Sequence, residues 1–418
     1  MPAGSDSAQG LDTPAIRQAG RELLSLAFMD ARNHSLHLHA GLEHALETAS
    51  PELAVAAGLA PPDWWLGELG WYQERWIARN LQRQLGPRCD PTASRLASLL
   101  PEADRWWDAV PLAQRWQFVL PPAEELRSYL LETLEATLDL LASAPETEAG
   151  LYLFHLALQH EDAQAERFIE LAQALGQPLE PRLLQALTPP VLARQDPLWL
   201  PAVRWQQGSA PPGFAPDLET PAHAVDVPEF EIDTQPVCWA QFVEFVDDGG
   251  YDREALWSPA GWDWLARQNA AEGRRGPRHV EQIGVASGAV MQRRFGQPTR
   301  MAGLQPVMHV SWWEAEAWCR WAGRRLPLEV EWEIAAETAS RRGFRWGDVW
   351  EWTASTLRPY PGFVPGPDAQ PAQAAFGVAK VLRGASAATR ARLKSPRQRR
   401  FEGPGQDAMF CGFRSCAI

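Results

Sequence analysis

The hydrophobic pattern of this 418-residue chain changes near residue 186, and the change limits the folds that the chain can adopt. Before it, apolar residues such as Leu24, Ala27, Phe28 and Ala31 recur at the spacing of an α-helix. After it, short alternating apolar pieces such as QPVMHVSWW are separated by Gly and Pro, a pattern typical of short strands and loops. The chain is therefore predicted to place a helical unit before a mixed unit with few regular strands.

The first half predicts four long helices. Their expected ranges are 13–46, 64–85, 121–143 and 147–175, and the Pro-rich polar links between them are typical of an up-and-down bundle. Two shorter helices are expected in the second half. The predicted organisation is a disordered tail at 1–12, the bundle at 13–185, a linker at 186–219 and a second domain at 220–418.

Charge and composition exclude several kinds of partner. The formal net charge is -13, whereas nucleic-acid recognition needs a basic face, so no nucleic-acid partner is expected. No apolar run approaches the roughly 20 residues that span a bilayer, and the N-terminal residues lack the apolar core of a signal peptide. Five irregularly spaced Cys residues argue against a disulfide framework. We therefore expect a cytoplasmic protein without a membrane partner.

The second half carries four informative phrases. They are FEIDTQPVCWAQFVEFVDDGGY, PVMHVSWWEAEAWCRWAGRRLPLEVEWEIAA, FRWGDVWEWTAS, and VLRGAS together with GFRSCA. In this order they resemble the formylglycine-generating-enzyme, or sulfatase-modifying-factor, fold over nearly all of 220–418. The resemblance implies a C-type-lectin-like core with the WEW turn at its centre and a possible structural calcium beside it.

Two phrases of the first half narrow the family. PPDWWLGELGWYQERWIARN and HLALQHEDAQAE resemble the DinB-like domain of ergothioneine synthases. The expected fold is thus α+β with two domains, a DinB-like four-helix bundle followed by a C-type-lectin-like sulfatase-modifying-factor domain. The resemblance implies an enzyme that uses non-haem iron(II) and oxygen to join sulfur to the imidazole of hercynine. Some phrases look closest to the selenoneine synthase branch, where a selenosugar replaces the thiol donor.

The resemblance also implies a metal site of three His residues, and this chain departs from it. The matching positions hold Glu68, His160 and Gln164. His160 and Gln164 are four residues apart, so they lie on one helix face. Carboxylate and amide oxygens are harder donors than imidazole, which favours a different metal or weaker iron binding. The alternative is a bundle that kept its scaffold and lost the metal.

A cluster of His residues on the first helix is interpreted as a solvated helix face, and it remains a reserve set of metal ligands. Its members are His34, His37, His39 and His44.

The expected substrate pocket departs from the family as well. Tyr360, in RPYPGF, is a candidate proton donor, or else a packed aromatic of the turn. Arg400, Phe401 and Glu402 match a step that contacts the methylated amine. Phe401 offers a π-face and Glu402 a countercharge to a quaternary ammonium, and Arg400 is expected to pair with Glu402 or with the substrate carboxylate. A solvated surface turn is the alternative.

Three functions follow from these observations. The first is an iron-dependent synthase that forms a carbon–selenium or carbon–sulfur bond on hercynine, with a selenosugar or thiol donor and oxygen. The second is a non-catalytic or repurposed relative that binds a small cationic ligand. The third is a copper-dependent thiol oxidase using Cys411 and Cys416, because soft thiolates select copper(I).

Overall fold

The computed structural model describes residues 10–43, 51–284, 289–367 and 369–418. Residues 1–9 of the predicted tail, and His44 of the first-helix cluster, lie outside the described residues. Asp12, at the end of that tail, accepts a hydrogen bond from the backbone N–H of Arg392 (3.3 Å). Among the helices that the structure describes, none is long and apolar enough to cross a membrane.

The first half is helical. In chain order its α-helices are α1 (Arg21–Ala40), α2 (Pro51–Ala56), α3 (Pro62–Gln73), α4 (Ala103–Trp107), α5 (Leu112–Arg115), α6 (Ala123–Ala142), α7 (Glu148–Leu175) and α8 (Pro181–Ala186). The four predicted long helices correspond to α1, α3, α6 and α7. Helices α1 and α3 each contact both α6 and α7, so these four form a bundle.

The ends of these helices follow local chemistry. Helix α7 begins where Oγ1 of Thr147 accepts the N–H of Gly150 (3.1 Å), and it ends at Gly176 with φ 69°. The first helix begins later than predicted, because Ala19 is extended and separates it from a 3-10 turn at Pro14–Gln18. The second predicted helix, α3, ends earlier than predicted. A π turn, Glu74–Ala78, extends it by five residues, and the helix then stops.

The second half contains short strands and helices. Its strands are β1 (Leu198–Leu200), β2 (Val203–Gln207), β3 (His223–Val227), β4 (Phe230–Ile232), β5 (Val280–Gly284), β6 (Ala289–Arg294), β7 (Gln297–Met301), β8 (Trp350–Thr356), β9 (Lys380–Gly384), β10 (Arg399–Glu402) and β11 (Cys411–Phe413). Its α-helices are α9 (Trp239–Asp247), α10 (Pro259–Glu272), α11 (Trp312–Trp321), α12 (Glu329–Thr338) and α13 (Gln370–Ala375). The segment 186–219, predicted as a linker, contains β1 and β2.

A four-stranded sheet with the order β10-β9-β8-β11 lies at the centre of this half. Strands β8 and β11 are parallel, and the other pairs are antiparallel. The WEW phrase forms the start of β8 and is buried, so its central position agrees with the prediction, although it is a strand and not a turn. Two-stranded sheets β1-β4 and β2-β3 and a three-stranded sheet β5-β6-β7 complete the half.

The two halves share one hydrophobic core. A single cluster of buried side chains includes Phe28 and Phe168 from the bundle and Phe295 and Phe410 from the second half. Helix α7 therefore lies between the bundle interior and the central sheet, and it positions the candidate site.

Candidate functional site

Helix α7 presents two adjacent rows of polar side chains. His160 and Gln164 are four residues apart, and Arg167 is seven from His160, so these three lie on one face. Glu166 and Glu170, also four apart, lie on the neighbouring face, which meets the central sheet. Of these residues, only His160 and Gln164 were predicted from the sequence. The spacing of four residues between Glu166 and Glu170 puts both on one helix face, and this was the available signal for them.

Glu68 of α3 meets His160. Nε2 of His160 lies 3.0 Å and 2.9 Å from the two carboxylate oxygens of Glu68. Tyr72, one turn after Glu68, stacks on the imidazole with ring centroids 3.6 Å apart. The side chains of His160 and Glu68 keep 15% and 9% of their surface exposed. The structure thus brings together two of the three predicted metal ligands at a partly open position.

Two glycines determine how closely α3 packs. A Cβ added to Gly67 would lie 2.0 Å from Cζ2 of Trp107, and one added to Gly70 would lie 2.8 Å from Cε1 of Tyr129. Real Cβ atoms do not approach other atoms so closely, so α3 reaches these two rings only with glycine at both positions. This close packing fixes the turn of α3 that carries Glu68.

Gln164 contributes an oxygen without a partner. Its Oε1 is buried, and no hydrogen-bond donor among the described residues reaches it. A buried amide oxygen without a donor costs about 1–3 kcal/mol, so such an atom marks a place where a ligand group can bind.

A network of ion pairs joins α7 to β10. Glu170 accepts hydrogen bonds from both Arg167 and Arg400, each 2.9 Å long. Glu402 accepts from Arg167 at 2.7 Å and lies 3.5 Å from Arg400. Burial acts to raise the pKa of Glu170, but the two guanidinium groups outweigh it and hold that pKa below its usual value. Arg400 and Glu402 are thus brought together, and Arg400 is occupied by protein carboxylates.

Glu166 anchors α7 to the second half. Its Oε1 accepts from Nε1 of Trp350 (2.9 Å) and Oγ of Ser386 (2.6 Å), and its Oε2 accepts from Oγ1 of Thr389 (2.9 Å). Both carboxylate oxygens are therefore used inside the protein. This residue holds the bundle against the central sheet and has no oxygen left for a ligand.

The chain resembles known proteins over both halves. Residues 190–348 match the sulfatase-modifying factor enzyme 1-like domain. The chain is 32% identical to a hercynine oxygenase of Mycolicibacterium smegmatis, over 85% of this chain and 90% of that protein. It is 31% identical to a hercynine oxygenase of Mycolicibacterium thermoresistibile, over 97% of this chain and 96% of that protein. This chain belongs to the hercynine oxygenase family. The family resemblance stated from the sequence is confirmed, and its named members are oxidoreductase-type enzymes.

A formylglycine-generating enzyme of Streptomyces coelicolor is 35% identical to the chain, but over 32% of this chain and 45% of that protein. The two hercynine oxygenases, in contrast, match both halves.

The donors of this family member do not fit the three-imidazole iron site that the resemblance implies. His160 is the one imidazole beside Glu68 and Gln164, and its Nε2 is already directed at the Glu68 carboxylate. Across the described ranges there is no group of three or more His, Cys, Asp or Glu side chains that could hold a metal ion. A carboxylate–imidazole pair beside an amide oxygen is suited to polar groups of an organic ligand, since it offers both donors and acceptors.

The first-helix histidines do not complete such a site in the described chain. Nε2 of His39 lies 2.7 Å from Oδ1 of Asp63, and this ring is buried, contrary to the expected solvated face. His37 lies 3.8 Å from Glu180 on the surface. Burial lowers the pKa of His34 to about 4, with Arg390 adding to the effect.

The acid of the WEW phrase does not fit the structural calcium that the resemblance implies. Glu351, the acid of the WEW phrase, accepts hydrogen bonds from Nε1 of Trp332 (2.8 Å) and from the guanidinium of Arg414 (2.7 Å). Because arginine already neutralises this buried carboxylate, it does not fit a calcium ligand.

The two C-terminal cysteines are buried thiols. Sγ of Cys411 donates to the carbonyl of Val310 (3.1 Å), and burial raises the pKa of both Cys411 and Cys416. A raised pKa disfavours the thiolate that copper(I) needs. The geometry therefore gives the copper alternative no support.

Two predicted residues lie on the other face of the central sheet. Arg399 and Arg400 are neighbours on β10, so their side chains point to opposite faces. The guanidinium of Arg399 lies 4.1 Å above the ring of Tyr360, whose hydroxyl accepts from Gln207 (3.3 Å). Burial raises the pKa of Tyr360. Phe401 packs against a separate apolar cluster on that face, so neither aromatic joins Arg400 and Glu402.

Arg115, which was not predicted from the sequence, lies near Glu68. It ends α5, and its guanidinium carbon lies 4.1 Å from the ring centroid of Trp64 and 5.5 Å from that of Trp65. Trp64 is one helical turn before Glu68 on α3, so the guanidinium and the carboxylate lie on one side of that helix. No local pattern in the sequence links Arg115 to α3, because the contact joins residues about fifty positions apart.

Proposed function

We propose that this chain acts on hercynine in an oxygen-using reaction that joins selenium or sulfur to the imidazole ring. The observation that carries the proposal is the similarity to hercynine oxygenases, which runs through the bundle and the second half alike. A fold alone would not support it, since one fold hosts many functions. Under this proposal the helical half is DinB-like, with boundaries near 13–185, 186–219 and 220–418.

The candidate site has chemistry that suits a betaine. Hercynine carries a quaternary ammonium, a carboxylate and an imidazole. The partly exposed carboxylate of Glu68 supplies negative charge for the ammonium, whereas Glu402 is already paired with Arg167. The unpartnered Oε1 of Gln164 can accept an imidazole N–H from the ligand. Arg400 forms ion pairs with Glu170 and Glu402, so it is not the partner of the hercynine carboxylate.

The donors at the candidate metal site differ from those that the resemblance implies. Iron(II) bound by Glu68, His160 and Gln164 was expected from the resemblance, and these donors do not fit the three-imidazole site. The protein's own side chains are proposed to bind and orient the betaine, and no step through a metal is assigned to them. No proton-transfer step is assigned to Tyr360, because it lies away from the pair Glu68–His160.

A second candidate function is a family member that binds a small betaine without turnover. The direct contact between His160 and Glu68 favours it, because those atoms satisfy one another without a metal.

One experiment separates the two functions. Protein purified anaerobically is analysed for metals, and hercynine binding is measured by calorimetry. Hercynine, oxygen and either a thiol or a selenosugar are then supplied, and products are followed by mass spectrometry. Oxygen-dependent formation of a carbon–sulfur or carbon–selenium product supports the first function. Binding without product supports the second, and failure to bind hercynine contradicts both.

A matched pair of variants assigns the result to this site. Glu68→Gln should weaken hercynine binding, whereas Glu125→Gln, on the exposed surface of α6, should not. Equal affinities for the two variants would place the ligand elsewhere.

A further inference from the structure

Arg115 is held rigidly although it forms no ion pair in the described part of the chain. Its Nε donates to the carbonyl of Val110 (3.0 Å), and its planar group lies over the indole of Trp64. That indole is itself fixed, because its Nε1 donates to the carbonyl of Trp106 (2.9 Å). The guanidinium is therefore preorganised by one backbone carbonyl and one aromatic face.

The outer end of this side chain is available. Among the described residues, no acceptor bonds either terminal nitrogen, and no carboxylate lies within 4.0 Å of them. Arg115 is half-buried, and burial lowers the pKa of its guanidinium. A partly desolvated cation without a counterion is unfavourable unless something else supplies the negative charge.

The surroundings connect this cation with the candidate site. After burial, Glu68 and Arg167 are the two charged groups that shift the pKa of Arg115, so both lie near it. Glu68 contacts His160, and Arg167 belongs to the network with Glu402. Arg115 thus adds a free planar cation to a group of carboxylates, an imidazole and an unpartnered amide oxygen.

Charge and shape point to a carboxylate as the missing partner. A guanidinium fork binds a planar carboxylate through two parallel hydrogen bonds. A phosphate dianion would bring two negative charges towards Glu68, whereas a carboxylate brings one. A betaine also carries a cation for which Glu68 can provide the countercharge.

We propose that Arg115 binds the carboxylate of the betaine substrate and so selects the zwitterion over the corresponding amine. This inference rests on the proposed binding of hercynine. Arg115 positions the substrate through its carboxylate, while the imidazole is directed to Gln164.

The test compares two ligands that differ only in the carboxylate. Calorimetry gives the Kd of hercynine and of its decarboxylated analogue, trimethylhistamine, for the full chain. A charge-assisted bidentate pair predicts that the parent protein prefers hercynine roughly 10- to 100-fold. Arg115→Gln should reduce this preference to less than about threefold, because the affinity for hercynine falls while that for the analogue changes little.

Two further variants guard against a purely structural effect. Arg115→Lys keeps a charge over Trp64 but lacks the fork, so it should lose most of the preference while remaining folded by circular dichroism. Arg105→Gln, at an exposed arginine of α4, is the matched control and should keep the full preference.

Each outcome has a defined meaning. Equal binding of the two ligands by the parent protein overturns the role of Arg115 and leaves the proposed function intact. Equal weakening of both ligands in the Arg115 variants also overturns it, since it would show a packing effect. Binding of neither ligand by the parent protein contradicts both the proposed function and the inference drawn from it.

Discussion

Glu166 and Glu68 are both acids beside helix α7, but their surroundings differ. Glu166 is buried, and its two oxygens accept three hydrogen bonds from Trp350, Ser386 and Thr389. Glu68 keeps some exposure and meets His160 next to an amide oxygen of Gln164 that has no donor in the described chain. Both oxygens of Glu166 are hydrogen-bonded within the fold. Glu68 lies beside a hydrogen-bond acceptor, Oε1 of Gln164, that has no donor among the described residues.

The difference separates groups that hold the halves together from groups suited to a ligand. Buried polar atoms in folded proteins nearly always have partners. Those of Glu166 do, and they come from the second half of the chain. Close to Glu68, the buried Oε1 of Gln164 is an exception, and the partly exposed guanidinium of Arg115 has no ion-pair partner among the described residues, which is why this region is the better candidate for ligand binding.

The largest expected effect is on the anchor. Glu166→Ala removes the acceptor of three buried donors, so we expect it to lower the free energy of unfolding by about 3–5 kcal/mol. Urea denaturation checks this. Glu125→Ala on the exposed surface of α6 should change the value by less than about 0.5 kcal/mol. Equal stabilities of the two variants would show that the bonds of Glu166 do not hold the halves together.

The next effect concerns pH and lies away from the site. Burial lowers the pKa of His309 to about 4, compared with about 6.5 in an unfolded chain. Between these values the unfolded state binds a proton that the folded state does not. The contribution of His309 to the free energy of unfolding is therefore fully present above pH 6.5. It decreases as the pH falls towards 4, by an amount on the order of 3 kcal/mol.

His309→Asn tests that assignment. Asn tolerates the positive φ of 60° at this position better than most residues. The variant should lose less stability than the parent between pH 7 and pH 5 in urea titrations. Some dependence should remain, because the pKa values of His34 and His155 are also lowered to about 4. An unchanged pH dependence would contradict the role of His309.

A smaller effect is expected at Glu68. Glu68→Gln removes a negative charge near the proposed ammonium position, so hercynine affinity should fall about tenfold, or about 1.4 kcal/mol. Stability should change by only about 1 kcal/mol, since the nearly isosteric Gln keeps an oxygen acceptor beside His160. Calorimetry and urea denaturation of the same sample give both values. Large loss of stability with unchanged binding would place Glu68 with the anchor residues.

The smallest change in stability is expected at Gln164. Gln164→Leu removes a buried oxygen that has no donor, so stability should stay within about 1 kcal/mol of the parent and can increase. Hercynine binding should nevertheless weaken. A clear loss of stability in this variant would mean that the Gln164 amide is needed by the fold.

Much of the fold was predictable because it depends on local patterns. Helical spacing identified the helices that became α1, α6 and α7, since each has an apolar face that is buried. Helix α3, also predicted, is buried on nearly all sides. Helix ends were less predictable. The extended conformation of Ala19 separates the 3-10 turn from α1, and the spacing of apolar residues does not show this interruption.

The site was predictable only in part. The spacing of His160 and Gln164 put them on one face, and the family resemblance pointed to Glu68. Tyr360 and Phe401 were grouped with Arg400, yet the alternation of side chains along β10 separates them. Residue 401 is next to 400 in the chain, but adjacent strand residues face opposite sides of a sheet.

By itself, the sequence determined the order of a helical half and a mixed half, the family, and one row of polar residues on α7. Only the tertiary structure decided that Glu166 is hydrogen-bonded to the second half of the chain and that Arg400 pairs with Glu170 and Glu402. It also decided that Arg115 reaches the side of α3 that carries Glu68. The physical reason is that local periodicity reports which face of an element is buried. Which charges meet across that face depends on contacts between residues far apart in the chain.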